Sequence, residues 1–493
     1  MSGQTVDGRH ATDDDPVVVI GTGPSGAAAA ARLVGHGERV LVLDAGGKPP
    51  RGVVVKMAGN TMFRWQDKSG LRTDRLASES DDVMWFSTLG LGGLSNYWTG
   101  AVPRFAPADF SEGGRLDERF AWPISYDEIE LYYRAAEQYL DGTAGTSIRG
   151  VPRNVLRHRY REPRDWTRIM EAADGRLGAI PLAKGAPWMV ARRGVEFDSY
   201  HCILGPVSTD SSFELRLGAV VERLRWSPHD GRVTEVEYVD IATRQRRRVP
   251  ARAVVVAAGA IDTAMILRRS VSADFPAGIG NTYGLLGTHL HDHPREWWRA
   301  ELERPMRALA HPLYLSRPDH DDSDPLMAVA HTIGLASPRL RPRTWVRGTV
   351  ASAGVQVFGT MIPEPEHRID FDPRHDPIDA RPRIRLRYDQ RALDNLTSAR
   401  SRLVEVLSSA GLSITIPGPF APVVPGTSVH YGGTARMHAR PELGVVDAHS
   451  KIHDVPNVYV GDMSVFTTGP EKNPTLTSMA LAIRAADHLV SQS

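Results

Sequence analysis

Residues 16–44 constrain the fold more than any other stretch. Pro16 to Ile20 is a short apolar run that reads as a buried strand. Gly21, Gly23 and Gly26 follow at the G-x-G-x-x-G spacing, in the order G-T-G-P-S-G. Ala27 to Leu33 is small and helix-favouring, and Val40 to Leu43 is a second apolar run that ends at Asp44. Each part has a physical reason. The first glycine permits a tight turn, the second lets a pyrophosphate approach the backbone, and the third allows a helix to pack closely on a strand. The helix N-terminus presents free N–H groups to the phosphates. An acid at the end of the second strand accepts hydrogen bonds from a ribose. The unit therefore predicts a bound dinucleotide. Alone it does not choose between a nicotinamide and a flavin.

A chain of 493 residues is long enough for two or three folding units and a core that encloses a bulky cofactor. The 59 basic and 58 acidic residues nearly cancel, which gives no support to nucleic acid or an anionic membrane as partner. The run R-Q-R-R-R at 244–248 reads as a solvated hairpin tip. Cys202 is the single cysteine, so neither an intrachain disulfide nor a thiolate metal site can form, and a cytoplasmic location is expected. The first 15 residues are polar and read as a frayed tail rather than a signal peptide. No apolar run reaches the ~18 residues of a membrane span.

Other segments favour a flavin. The glycine cluster T-L-G-L-G-G-L-S-N-Y-W-T-G at 88–100 would let main chain press against phosphates or an isoalloxazine ring. Ala253 to Gly259 reads as a strand of the nucleotide sheet running into a turn of small residues. A three-stranded excursion is expected before it, over Glu214–Leu217, Ala219–Arg225 and Val233–Asp240. No second glycine fingerprint is present, which points to a single nucleotide cofactor. Near the C-terminus, P-G-T-S-V-H-Y-G-G places His430 in an expected strand before a Gly-Gly turn. Val445–Asp447 and Val458–Val460 read as short strands, with Asp462 at a strand end. Asn473-Pro474-Thr475 then opens a helix over Leu476–Ser491, whose N-terminal dipole would stabilise an electron-rich ring.

In sequence order, these stretches resemble the glucose–methanol–choline (GMC) family of flavoprotein oxidoreductases. The matching pieces are the first βαβ unit, G-L-G-G-L-S-N-Y-W-T-G, the A-A-G-A turn, G-T-H-L-H-D-H-P at 287–294, H-Y-G-G-T-A-R-M at 430–437, G-D-M-S at 461–464 and N-P-T-L-T at 473–477. Residues 93–104 also look like the corresponding segment of pyranose oxidases. The resemblance implies an α/β chain with a Rossmann-like FAD-binding domain and an inserted α+β substrate domain built on a mixed or antiparallel sheet. It implies His430 as catalytic base and Asn473 as its partner. It further implies FAD contacts from Gly21, Gly23, Pro24, Ser25, Gly26, Asp44, Gly92, Gly93, Asn96, Tyr97, Trp98, Thr99, Val221, Ala258, Gly259, Asp462, Asn473, Pro474 and Thr475. Some pyranose oxidases join the flavin covalently to a His in this segment. Tyr97 stands there here, so the FAD is expected to be non-covalent.

Elementary chemistry agrees with the roles. Alcohol oxidation needs a proton removed from oxygen, a task suited to a neutral imidazole near pH 7. An amide can hold the same oxygen without titrating. The expected substrate is a small polar polyol: a sugar, a glycoside or an aminoglycoside-like compound. Oxygen or another acceptor takes the electrons. A sterol-like alcohol facing Trp297, Trp298 and Trp345 is the alternative, and a flavin-binding protein without activity is a third. Retention of His430 and Asn473 speaks against the last.

The remaining constellations have plainer readings. His289, His291 and His293 would share one face of a strand and could suggest a metal, but the resemblance places them beside the cofactor and no metal is expected. His449 and His453 flank a turn. Asp319, Asp321, Asp322 and Asp324 read as a solvated loop, or as an acidic rim for a cationic substrate. Glu364 lies in M-I-P-E-P and reads as a sheet-edge residue or one facing the flavin. The FAD domain is expected to take residues 1–115, 200–295 and 425–493. The substrate domain and lid would take 116–199 and 296–424. Within the latter, 355–361, 368–372 and 383–388 read as strands and Asp389–Gly411 as a helix. Residues 51–85 and 141–200 read as loops, a lid or an oligomer contact.

Overall fold

The computed structural model describes residues 12, 14–47, 76–78, 85–98, 100–159, 164–183, 197–307, 313–315, 329–334, 349–416, 418 and 423–492. Strand β1 (Val17–Ile20), helix α1 (Pro24–Gly35) and strand β2 (Val40–Asp44) form the expected unit, and both strands are fully buried. Three further strands complete a five-stranded sheet: β3 (Phe213–Leu217), β4 (Ala253–Val256) and β5 (Val458–Val460). Its order is β5-β4-β1-β2-β3 and every pairing is parallel. A parallel sheet is covered on both faces, which is why its central strands are runs of valine, leucine and isoleucine without alternation.

Helix α1 packs on the final helix, α2 (Thr475–Ser491). Ser25 and Ser478 share a hydrogen bond of 2.7 Å, and Arg32 makes a bidentate contact with Asp487 at 2.6 and 2.8 Å. The helix Tyr126–Leu140, started by a Ser125–Glu128 capping box, packs on α2 and lays Tyr133 Oη 2.7 Å from Thr477 Oγ1. It also carries Glu137, which receives both arms of Arg104 at 2.8 Å, the N–H of Val155 and the amide of Asn154. Arg104 and Glu137 are almost wholly inaccessible. Arg104→Ala strands a buried carboxylate, so it should lower stability by about 3–5 kcal/mol in a urea or thermal melt.

Three expectations are corrected here. Phe213–Leu217 does not belong to the antiparallel excursion but is the edge strand beside β2, because Gly218, at φ +67°, turns the chain away after it. The excursion is instead Ala219–Ser227, Arg232–Asp240 and Arg246–Pro250. Its third strand takes up most of the basic run. Arg244, at φ +56°, and Gln245 lie in the connection before it, while Arg246 and Arg248 pair with Glu222 and Glu237. Neither Val445–Asp447 nor the segment around His430 is a strand. Val446 makes isolated bridges to Met437 and Ile452 within a compact loop, and the chain at Val429 is left-handed, at φ +62°.

A second sheet has six strands, in the order Ile414–Thr415, Arg295–Arg307, Thr349–Gly359, Val329–Gly334, Leu313–Leu315 and Leu177–Ala179. Every pairing is antiparallel. The helix Gln390–Ser409, capped by Asp389, covers one face. There Trp298, Ala300, Leu302, Val355 and Val357 pack against Leu396, Ala399, Leu403 and Leu407. Trp298 is thus core, not pocket wall. Arg368–Asp370 and Arg383–Arg385 form a separate small sheet with Ala77–Ser78. Among the described residues, no helix is long and apolar enough to cross a membrane.

Candidate active site

The nucleotide cradle is built from close backbone contacts. Gly21 is left-handed at φ +102°, and a Cβ there would lie 2.4 Å from the Ala257 carbonyl oxygen. A Cβ on Gly26 would lie 2.3 Å from the carbonyl oxygen of Gly21. Gly23, by contrast, faces open space at the start of α1, where no side chain caps the helix and Pro24 takes the first turn. That combination leaves N–H groups free for an anion. Gly26→Ala must push the helix off the turn. It should yield folded protein that purifies without yellow colour, read as the ratio of flavin to protein absorbance.

Asp44 is already engaged. It accepts from Thr22 N at 2.8 Å, Thr22 Oγ1 at 2.5 Å and Gly46 N at 2.6 Å. About one of a carboxylate's four acceptor positions is left for a ribose hydroxyl. Thr22 Oγ1 in turn accepts from Gly92 N at 2.8 Å, tying the turn to the second glycine cluster. In that cluster Gly92 and Gly93 have positive φ, and Asn96 donates to the carbonyls of Leu91 and Gly93. Trp98 donates to the Phe197 carbonyl at 3.2 Å and packs on its ring, so it anchors the loop, and half-buried Tyr97 lies beside it. Thr99 lies outside the described residues. Ser199 was not foreseen. Its hydroxyl donates to the Thr22 carbonyl at 2.6 Å and its N–H to Ser95 Oγ at 3.0 Å. A lone serine about 180 residues away leaves no pattern in the sequence.

Val221 is buried in the first strand of the excursion. Ala258 and Gly259 form the turn after β4, Gly259 at φ +85°. Asp462 closes that turn. Its carboxylate accepts from Gly259 N, Thr263 Oγ1, Ser464 N and Ser464 Oγ at 2.5–2.9 Å. Burial pushes this carboxyl up and the donors pull it back. These four donors hold the side chain at the cradle's edge and fix the turn at Gly259.

The tail carries His430 and Asn473, the two residues expected to act on the substrate. Asn473 and Pro474 precede α2, whose N-terminus has no side-chain cap, and Thr475 begins it. The segment is held by Lys472, which donates to Asp109 at 2.9 Å and Glu471 at 2.6 Å in a buried cluster. Asn473 Nδ2 lies 3.4 Å from Nε2 of half-buried His430. His430 Nδ1 lies 3.3 Å from His293 Nδ1, and Phe358 packs on the His430 ring at 5.4 Å.

The pair rests on Asp292, which has no solvent exposure. Its carboxylate accepts from the Ser428 hydroxyl, Gly426 N at 2.9 Å and His430 N at 3.0 Å, with the Tyr388 hydroxyl at 3.3 Å. It fixes the left-handed loop that a strand was expected to supply. Tyr388 was not singled out beforehand; Asp292 was quoted only within the G-T-H-L-H-D-H-P motif, and His293 was read as lying beside the cofactor without a role toward His430.

His289, His291 and His293 do not share a strand face. His289 is left-handed at φ +56°, and the His291 ring fills the hollow at Gly432, where an added Cβ would meet it at 2.4 Å. Among the described residues, no three His, Cys, Asp or Glu side chains are grouped to hold a metal ion. Glu364 is exposed on a turn, with its N–H on His367 Nδ1. His449 stacks on His488 at 3.9 Å, and His453 bonds the His438 carbonyl. The aspartates of 319–324 and Trp345 lie outside the described residues.

The electrostatics keep the His430 imidazole neutral. Burial, with a further push from Arg295, brings His430 down to about 3. A neutral imidazole has one N–H. When the Asn473 amide donates to Nε2, that proton sits on Nδ1 and is donated to His293, and the Nε2 lone pair, engaged by the amide here, takes a hydroxyl proton once the amide turns to the substrate oxygen.

A parallel sheet that carries a glycine-rich nucleotide cradle, with a half-buried His–Asn pair before the last helix, fits an oxidoreductase of the alcohol-oxidising flavoprotein class. The chain belongs to the GMC oxidoreductase family: residues 179–295 match the model of the family's N-terminal part and residues 363–482 that of its C-terminal part. Members of this family use FAD. The chain is 29% identical to paromamine 6'-oxidase of Streptomyces fradiae, over 97% of its own length and 92% of that protein's. It is 26% identical to C-glycoside 3-oxidase of Microbacterium trichothecenolyticum, over 82% and 75% of the two lengths. The solved structure of pyridoxine 4-oxidase from Mesorbium loti shares the fold, with a TM-score of 0.68 at 17% identity, covering 97% of this chain and 99% of that one.

Proposed function

We propose that this chain holds FAD non-covalently and oxidises a hydroxyl group of a sugar or glycoside to the carbonyl, with His430 as the base. The 3.4 Å approach of His430 Nε2 to the Asn473 amide, at the mouth of an uncapped helix, carries the reading. The names of the relatives support the substrate class, since one oxidises paromamine and another a C-glycoside. The residues present fit the cofactor. The glycine turn and the start of α1 would hold its pyrophosphate, and the start of α2 would face its ring. Bound FAD supplies the hydride acceptor. His430 Nε2 takes the hydroxyl proton, the Asn473 amide steadies the same oxygen, and His293 with Asp292 fixes the imidazole's orientation and tautomer.

The test is anaerobic mixing with a panel of sugars, glycosides and apolar alcohols, followed by admission of air. Sugars or glycosides should bleach the yellow absorbance. Bleaching by sterols alone would overturn the substrate class. Rapid return of colour in air marks oxygen as the acceptor, and slow return marks another. Tyr97 offers no imidazole for a covalent bond, so acid precipitation should leave the yellow colour in the supernatant; colour in the pellet refutes the non-covalent link.

A further inference from the structure

One face of the six-stranded sheet looks toward His430 and carries side chains that the chemistry does not use. Along Arg295–Arg307, Trp298, Ala300 and Leu302 pack against the covering helix, and Glu296 reaches Arg400 on that helix at 3.5 Å. Alternation along a strand sends Arg295, Trp297, Arg299 and Glu301 to the opposite face. The register agrees: Arg295 lies opposite Phe358 and Trp297 opposite Gln356. Directly opposed residues share a face, and Phe358 packs on His430. Two strands further on, Tyr314 occupies the same face and donates to Glu471, two residues before Asn473.

This face is buried around Phe358 and Tyr314 and becomes amphipathic and exposed from Trp297 outward. Trp297 is 55% exposed, a large aromatic left uncovered on the reacting side. Arg299 is exposed and has no carboxylate at ion-pair distance among the described residues. Arg295 donates to the Thr427 carbonyl at 2.6 Å and likewise forms no ion pair among the described residues. A strand rises ~3.4 Å per residue, so Trp297 stands ~7 Å and Arg299 ~14 Å from Arg295, a reach of one to two sugar rings. Glu301 lies a further ~7 Å out.

We propose that this face binds the part of the substrate beyond the reacting carbinol, and that it selects neutral or anionic glycosides over those bearing a remote ammonium group. The proposal rests on His430 marking where the hydroxyl reacts. Trp297 offers an electron-rich π face to the C–H face of a sugar ring or to a planar aglycone. The two guanidiniums favour a carboxylate and repel an amine held at similar depth. Glycosides that carry a protonated amine at that depth are then poor substrates here.

Three probes share one glucose ring and differ only at the far end: phenyl β-glucoside, its 4-carboxy derivative and its 4-aminomethyl derivative. Their affinities are measured by calorimetry, which needs no turnover, and by the half-saturating concentration for anaerobic flavin reduction. The carboxylate should bind most tightly and the amine least. Trp297→Ala should weaken all three about tenfold, mainly through half-saturation rather than the limiting rate, and Trp297→Tyr should restore much of the loss. Arg299→Glu should reverse the order of the charged pair. Equal affinities in the wild type, an unaltered Trp297→Ala variant, an unreversed order in Arg299→Glu, or no binding at all would each overturn the subsite. Binding in the expected order without flavin reduction leaves the subsite standing and refutes the proposed function alone.

Discussion

Replacing His430 with alanine should slow anaerobic flavin reduction by about 10²–10⁴-fold while the protein stays yellow. The imidazole nitrogens face Asn473 and His293 and have no part in the glycine cradle. Removal of the ring therefore deletes the proton acceptor and leaves the nucleotide contacts in place. Rapid mixing of the variant with a reducing sugar gives the rate, and the spectrum before mixing gives the cofactor content. A rate within a factor of a few of wild type would reject the base assignment, and a colourless variant would move His430 from chemistry to cofactor binding.

Acid should unfold the protein steeply between about pH 6 and pH 4. Burial holds His289, His291 and His430 down at about 3 and His293 well below its usual value. In the unfolded chain each imidazole titrates near 6.5. Between those values the unfolded state binds more protons, so stability is complete above about pH 6.5 and falls as the pH drops toward the folded pKa. Each depressed imidazole removes about 1.4 kcal/mol per pH unit in that window. Four together outweigh, within two or three units, the ~5–15 kcal/mol that keeps a domain folded. Thermal melts from pH 8 to pH 4 check this. A melting temperature that is flat down to pH 4.5 would show that these rings are not held neutral. His291→Phe, which removes one buried titrating ring, should flatten the slope by about one proton.

Much of the frame was legible because its signals are local. Strand, glycine turn, helix and acid occupy residues 17–44 and appear as read. The last helix was readable from Pro474 and its apolar spacing. What escaped depends on distant contacts. The left-handed loop at Val429 looks like a strand by composition, and contacts with distant residues, the buried Asp292 carboxylate more than a hundred residues earlier among them, bend it otherwise. Phe213–Leu217 carries a mixed pattern because it is a sheet edge, and the pattern cannot say which sheet. Asp462 and Asp44 were legible as important acids at strand ends. Their bonds to backbone N–H groups and hydroxyls, which take up most of their capacity, are visible only in three dimensions.

The Ser25–Ser478 contact joins the opening of the chain to its closing residues, and the β4–β5 pairing adds a late strand to a sheet begun by the first two. On a ribosome, the first two strands emerge hundreds of residues before the partners that cover them. The nascent polypeptide must keep an unfinished apolar edge out of trouble during that interval, and helper proteins that shield such edges should raise the yield of coloured enzyme. A transcript shortened by its final forty codons would release a chain that can neither complete the cradle nor retain the vitamin-derived pigment.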